Sequence, residues 1–295
     1  MIPVTKDKSA FKDPPPLSER LDDTELKRLD TVATDIRKAI VTMVTDANSG
    51  HVGGSLSATD LLVTLYYRVM RHDPLNPKWP ERDRYIQSKG HCTPVIYATL
   101  ASCGYFPAED LHTFRRPGSH LQGHPHQLKT PGIEASTGTL GLGLSTTCGM
   151  ALAAKHKGEK QRYFVLCGDG EQQEGQIWEA GMLGSKYKLS NVFAFTDRNM
   201  LQTDGNTEDV MPLEPLAEKW KAFGWHTQVT DGHDKQGILD ALLAAENITD
   251  RPHMIILNTI KGKGVSFMEN EAKWHGTPPT AEEKAQALEE LTNAI

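Results

Sequence analysis

The 295-residue chain predicts an α/β fold, a mostly parallel sheet with helices on both faces. Three observations carry this. Short apolar runs at Tyr163–Cys167, Asn191–Phe195 and Met254–Thr259 have the length and composition of strands buried on both sides. Between such runs lie longer stretches with apolar residues at three- and four-residue steps, the spacing of helices with one buried face. The two kinds of segment alternate without an internal repeat, as a parallel sheet requires, because each parallel connection needs a crossover.

In chain order, residues 1–16 are polar and proline-rich and read as a mobile tail or an arm lying on a partner, which leaves 17–295 as one domain. A helix is predicted from about Thr24 to Asp46, with Leu26, Leu29, Ala33, Ile36, Ile40 and Met43 on one face and a stop at Asn48-Ser49-Gly50. Ser57-Ala58-Thr59-Asp60 has the pattern of a capping box for a helix over about Ala58–Met70. Arg84–Gln87 reads as a brief strand and His91–Cys103 as a helix that tolerates Pro94 in its first turn. A loop rich in proline and histidine covers about Phe106–Glu134, and Gly138–His156 reads as a helix whose small residues admit a close neighbour or another protomer. A helix over about Gln176–Tyr187 turns Ile177, Ala180, Met182, Leu183 and Tyr187 inward. Helices near Leu213–Phe223 and Lys235–Ala245, a strand near His226–Val229 and a charged helix over Thr280–Thr292 complete the pattern.

Composition excludes several functions. The net charge of -6, with no basic block, argues against nucleic acid and anionic membrane as partners. Cys92, Cys103, Cys148 and Cys167 form no CxxC pair, which suits a reduced, cytoplasmic protein. The N-terminus lacks the apolar core of a signal peptide, and no stretch is long and apolar enough to span a bilayer.

The chemistry concentrates in GDGEQQEG, Gly168–Gly175, and in Asp197-Arg198-Asn199 at the end of the next strand. Gly168 and Gly170 bracket Asp169, so the chain can turn sharply and a ligand can approach closely. One crossover of about 30 residues separates Asp169 from Asn199, so both fall at the carboxyl edge of the sheet, where such sheets bind ligands. A carboxylate and an amide oxygen are hard ligands that suit Mg²⁺ or Ca²⁺; Mg²⁺ draws further oxygens from phosphates. Other motifs fail on spacing. Gly138, Gly141 and Gly143 do not make GxGxxG, Lys261-Gly262-Lys263-Gly264 is no P-loop, and His112, His120, His124 and His126 match no standard zinc pair.

Together these segments resemble the thiamine-diphosphate motif, and more narrowly transketolase. The resemblance covers nearly the whole chain after the first twenty residues or so, through Asn48–Asp60, Ser88–His91, Gly123–Pro125, Ser136–Ser145, GDGEQQEG and Lys261–Gly276. It implies thiamine diphosphate and a metal held by Asp169, Asn199 and the Leu201 carbonyl. Gly138 and Leu140 would lie beside the cofactor with Gly168 and Gly170. His51 and His124 would contact donor hydroxyls. His91 and His275 would sit near the diphosphate and the reacting carbon, and histidine suits proton movement there because its pKa lies near working pH. Lys261–Gly264 would close over the cofactor. Glu174 would lie at the interface between subunits and link two active sites. The implied activity is transfer of a two-carbon ketol unit from a ketose phosphate to an aldose. Because the chain resembles only the diphosphate-binding half, an α2β2 assembly with a C-terminal pyrimidine-binding subunit is expected. Rival readings are a deoxyxylulose-phosphate synthase-like protein, the α chain of a 2-oxo-acid dehydrogenase, and a non-catalytic phosphate-binding regulator. Val52, Arg198, Thr139 and Leu142 depart from the commoner residues of the family.

Overall fold

The computed structural model describes residues 2–294. The chain runs α1 (Asp23–Asp46), α2 (Gly53–Ser57), α3 (Thr59–Thr64), β1 (Arg84–Gln87), α4 (Thr93–Cys103), α5 (Leu142–Lys157), β2 (Tyr163–Gly168), α6 (Gly175–Lys186), β3 (Val192–Arg198), β4 (Leu201–Gln202), β5 (Gly205–Asn206), α7 (Thr207–Val210), α8 (Leu216–Ala222), β6 (His226–Asp231), α9 (Lys235–Glu246), β7 (His253–Asn258) and α10 (Ala281–Asn293). Five strands form one sheet in the order β1-β2-β3-β7-β6, and every pairing in it is parallel.

Alternation along the strands divides the interior in two. Phe164, Leu166, Phe193, Phe195, Ile255 and Leu257 face a core built with α1, α3, α4 and α9. Val165, Cys167, Val192, Ala194, Met254 and Ile256 face the other, built with α5, α6 and α8. Leu29, Ile36 and Ile40 of α1 are wholly buried; each such side chain contributes roughly 1.5–3 kcal/mol of apolar burial. The Asp22 carboxylate caps α1 by accepting from Glu25 N at 2.7 Å. Thr280 and Glu283 form a full capping box on α10.

Several expectations need correction. The helix expected at Ala58 begins at Gly53, breaks at Ala58 and ends in a π-helical turn, Leu65–Val69. Ser57 caps nothing, because its hydroxyl donates to Asp197 Oδ2 across the domain at 2.6 Å. α5 starts at Leu142 rather than Gly138, since Gly138 (φ +147°) and Gly141 (φ +84°) hold conformations a helix does not use. On α6, Met182, Leu183 and Tyr187 are exposed, and the inner face is Ile177, Ala180, Gly181 and Gly184. Trp220 and Trp225 fill the space in front of those glycines: a Cβ on Gly184 would lie 2.7 Å from Trp225 Cζ2. Leu26 of α1 is likewise exposed. Residues 2–16, expected as a tail, run along the body. Phe11 is buried, stacks on His72 and meets Tyr67 edge-on, while Arg68 donates to the carbonyls of Pro15 and Pro16. The β4–β5 hairpin has no counterpart in the sequence pattern, because two-residue strands leave no periodic signal.

Candidate active site

Strand register positions the expected metal clamp of Asp169, Asn199 and the Leu201 carbonyl. Gly168 pairs with Asp197 on the neighbouring strand, so the turn after β2 and the turn after β3 open side by side. Asp169 is buried, with Oδ1 accepting from Gly170 N at 2.8 Å and Oδ2 from Met200 N at 2.7 Å. Burial, then the nearby Asp197 carboxylate, raises the Asp169 pKa. Asn199 Oδ1 accepts from Leu201 N at 3.1 Å and its Nδ2 donates to Asp197 Oδ2 at 3.3 Å. The Leu201 carbonyl accepts from the Lys261 ammonium at 3.0 Å. All three expected metal-binding residues thus border one cleft of about 310 Å³, with Gly138, Leu140, Gly168, Gly170, Glu174 and three of the four expected histidines.

Those three histidines form a compact group, with ring centroids 4.9 Å apart for His51–His91, 5.1 Å for His91–His275 and 5.5 Å for His51–His275. Burial, reinforced by neighbouring cations, lowers His51 to about 4 and His275 to about 3, and lowers His91 as well. All three are neutral near pH 7. The Lys261 ammonium donates to His275 Nδ1 at 3.0 Å, which leaves the ring proton on Nε2 facing Thr203 Oγ1 at 3.2 Å. The Nδ1 of His51 is buried without a partner. His124 does not line this cleft. It is exposed and packs on Gly138, where a Cβ would lie 2.9 Å from its ring. Glu174 is exposed at the rim, at the N-terminus of α6.

The cleft also holds residues to which the sequence assigned no role. Lys89, next to the expected His91, is buried and forms an ion pair with Asp197, which also accepts from Ser57 and Thr259. Burial would raise the Asp197 pKa, but Lys89 and these hydroxyls lower it. Glu171 accepts from Gly141 N, Gly168 N and Ser88 Oγ, tying three cleft-lining segments together. Arg198 bonds to Thr207, Glu208 and Glu214 and lies 3.5 Å from Asp169. Lys89 lies inside the motif Ser88–His91, where the histidine carries the stronger chemical signal. Asp197 and Glu171 carry no separable signal of their own.

These residues fit a metal diphosphate. Carboxylate, amide and carbonyl oxygens converge as hard donors. Lys261, the one lysine of the lining not paired with a carboxylate among the described residues, brings an ammonium to the cleft, and the unpartnered imidazole nitrogen of His51 has hydrogen-bonding capacity to offer a ligand. The zinc alternative has no support: His120 is bound to Asp110 at 3.0 Å, and no group of three His, Cys, Asp or Glu suited to a metal occurs among the described residues.

Residues 29–293 match the family described as the thiamine diphosphate binding domain of transketolase. A 6-deoxy-6-sulfo-D-fructose transketolase subunit of a Clostridium species (strain MSTE9) is 48% identical over 259 residues, 88% of this chain and 94% of the relative. One of the apulose-4-phosphate transketolase subunits of Phocaeicola vulgatus is 44% identical over 271 residues, covering 92% and 96%. Mouse transketolase is 35% identical over 280 residues, 93% of this chain but 44% of that protein. Among solved structures, transketolase from Campylobacter jejuni superposes with a TM-score of 0.86 at 35% identity, over 90% of this chain and 43% of that one. The chain belongs to the transketolase family, as its thiamine-diphosphate-binding domain. Its near end-to-end match to separate subunits makes it the N-terminal subunit of a transketolase-type transferase.

Proposed function

We propose that this subunit binds thiamine diphosphate through Mg²⁺ and, joined to a C-terminal pyrimidine-binding subunit in an α2β2 assembly, transfers a two-carbon ketol unit from a ketose donor to an aldose. The observation that carries the reading is the convergence of Asp169, Asn199 and the Leu201 carbonyl beside three neutral histidines at the ends of β2 and β3. The bound cofactor supplies an electron sink for cleaving a bond next to a carbonyl. Asp169, Asn199 and the Leu201 carbonyl hold the metal; Ca²⁺ meets the same oxygens. Lys261, released from Leu201, faces the phosphates. His51 offers Nδ1 to a sugar hydroxyl, and His91 and His275, held neutral by burial, accept or return a proton near the reacting carbon. His124, exposed beside Gly138, would meet the donor from the Gly138 loop. Glu174, on the rim, faces the adjoining subunit. Relatives named for a sulfonated ketose and for apulose 4-phosphate support an anionic sugar as donor, phosphorylated in this reading. A cytoplasmic location accords with it.

The test uses the chain with Mg²⁺ and thiamine diphosphate, a panel of ketose phosphates and an aldose acceptor. No transfer is expected until the pyrimidine-binding subunit is added. Full turnover by this chain unaided would overturn the two-subunit reading.

A further inference from the structure

The turn Asp231-Gly232-His233-Asp234 joins β6 to α9, away from the groups described above. Yet its histidine reaches the cleft through one main-chain bond. Ile260 N donates to His233 Nε2 at 2.9 Å, which places the ring proton on Nδ1, facing Asp60 Oδ2 at 2.8 Å. Asp60 is buried and held on both oxygens: Arg37 of α1 approaches Oδ2 at 2.5 Å and Lys235 of α9 approaches Oδ1 at 2.8 Å. On the other side, Ile260 precedes Lys261, which is buried and spans to both the Leu201 carbonyl and His275 Nδ1. The remainder of this turn is pinned by Gly262 N donating to Gly53 O at 3.0 Å and Asn270 N to Lys261 O at 2.9 Å.

We infer that His233, held by Asp60, is a positioning residue for Lys261. The imidazole fixes the main chain one residue ahead of the lysine, so that the ammonium enters the cleft where the diphosphate is proposed to bind. The chemistry demands an acceptor at the Nε2 position and a donor at Nδ1 on one rigid group; a carboxylate or a lysine supplies only one of these. The bond acts as outer-shell contacts do around metal ligands, orienting a group that touches the ligand without touching the ligand itself. This inference rests on the reading of the cleft as a thiamine diphosphate site.

The experiment is calorimetric titration of the assembly reconstituted with the pyrimidine-binding subunit, using Mg²⁺ and thiamine diphosphate, alongside the thermal midpoint of each variant chain. His233→Leu should weaken binding by roughly 10–100-fold, the range for lost outer-shell contacts. His233→Gln, whose amide can accept from Ile260 and donate to Asp60, should restore affinity to within about threefold, since both hydrogen bonds are kept. His233→Asn, able to meet Asp60 but too short for Ile260, should bind as weakly as His233→Leu and serves if the leucine variant does not fold. Combined with Lys261→Met, His233→Leu should add no further loss, because both act through one ammonium. Unchanged affinity in His233→Leu or His233→Asn, or losses that multiply in the double variant, would overturn the inference while leaving the site reading intact. Failure of the unmodified assembly to take up the cofactor would bring down both.

Discussion

The ion pair beneath the clamp gives the sharpest prediction. Lys89 and Asp197 are both buried. Among the described residues the lysine is the only cation bonded to that carboxylate, which otherwise relies on Ser57, Thr259 and the Asn199 amide. Lys89→Met keeps the bulk and removes the charge, stranding a carboxylate in the interior. Breaking a buried pair from one side costs about 3–5 kcal/mol. At roughly 2–3 °C per kcal/mol for a chain of this size, the thermal midpoint should fall by about 6–15 °C. The pH dependence identifies the cause. In the unmodified chain Asp197 is lowered, so its contribution is present above the unfolded carboxylate value and is lost only as pH falls. In Lys89→Met the unpaired, buried Asp197 should be raised instead, so the folded state binds the extra proton and the variant loses stability as pH rises. The gap between the two proteins should therefore widen from about pH 5 to pH 8 in urea titrations of the free chain. Adding Asp197→Asn should recover at least half of the loss. A cost below about 1 kcal/mol, or a double variant no better than the single, would refute the electrostatic argument, since a broken buried charge pair cannot be that cheap.

Three further outcomes are expected. Asp169→Ala should abolish metal-dependent uptake of thiamine diphosphate in calorimetry on the reconstituted assembly, while circular dichroism of the chain stays unchanged. His51, His72 and His253 lie at about 4 and His275 at about 3 when folded, so the native state binds fewer protons than the unfolded one below about pH 6.5. Denaturation midpoints should therefore fall as pH drops from about 6.5 toward 4, with the raised Asp169 and Glu171 opposing part of that loss. Glu174→Ala should fold with an unaltered midpoint, because the residue is exposed and makes no side-chain bond that α6 depends on, yet lower turnover once the pyrimidine-binding half is present.

The clamp is legible in the residues because its parts are tied to strand ends. A glycine-bracketed aspartate after one apolar run and an asparagine after the next must open on the same edge once the strands pair in parallel, and Gly168 opposite Asp197 is that pairing. The α6 face departs from its periodicity for a physical reason. Periodicity favours large apolar side chains as the buried ones, but Trp220 and Trp225 come from beyond the next strand and need glycines to receive them. The Ser57 capping pattern fails similarly, since a hydroxyl suited to a local backbone partner finds a better acceptor in Asp197, 140 residues away.

The sequence by itself determined the alternation of strands and helices, the residues at the strand ends and the kind of ligand their oxygens prefer, because hydrophobic period and donor chemistry are properties of short segments. Tertiary structure alone decided that His51, His91 and His275 meet while His124 stands outside, that Lys89 neutralises Asp197, and that His233 reaches Ile260. Those contacts join segments far apart in the chain, and which of them form depends on how the layers pack against the sheet, information that no single window of residues contains.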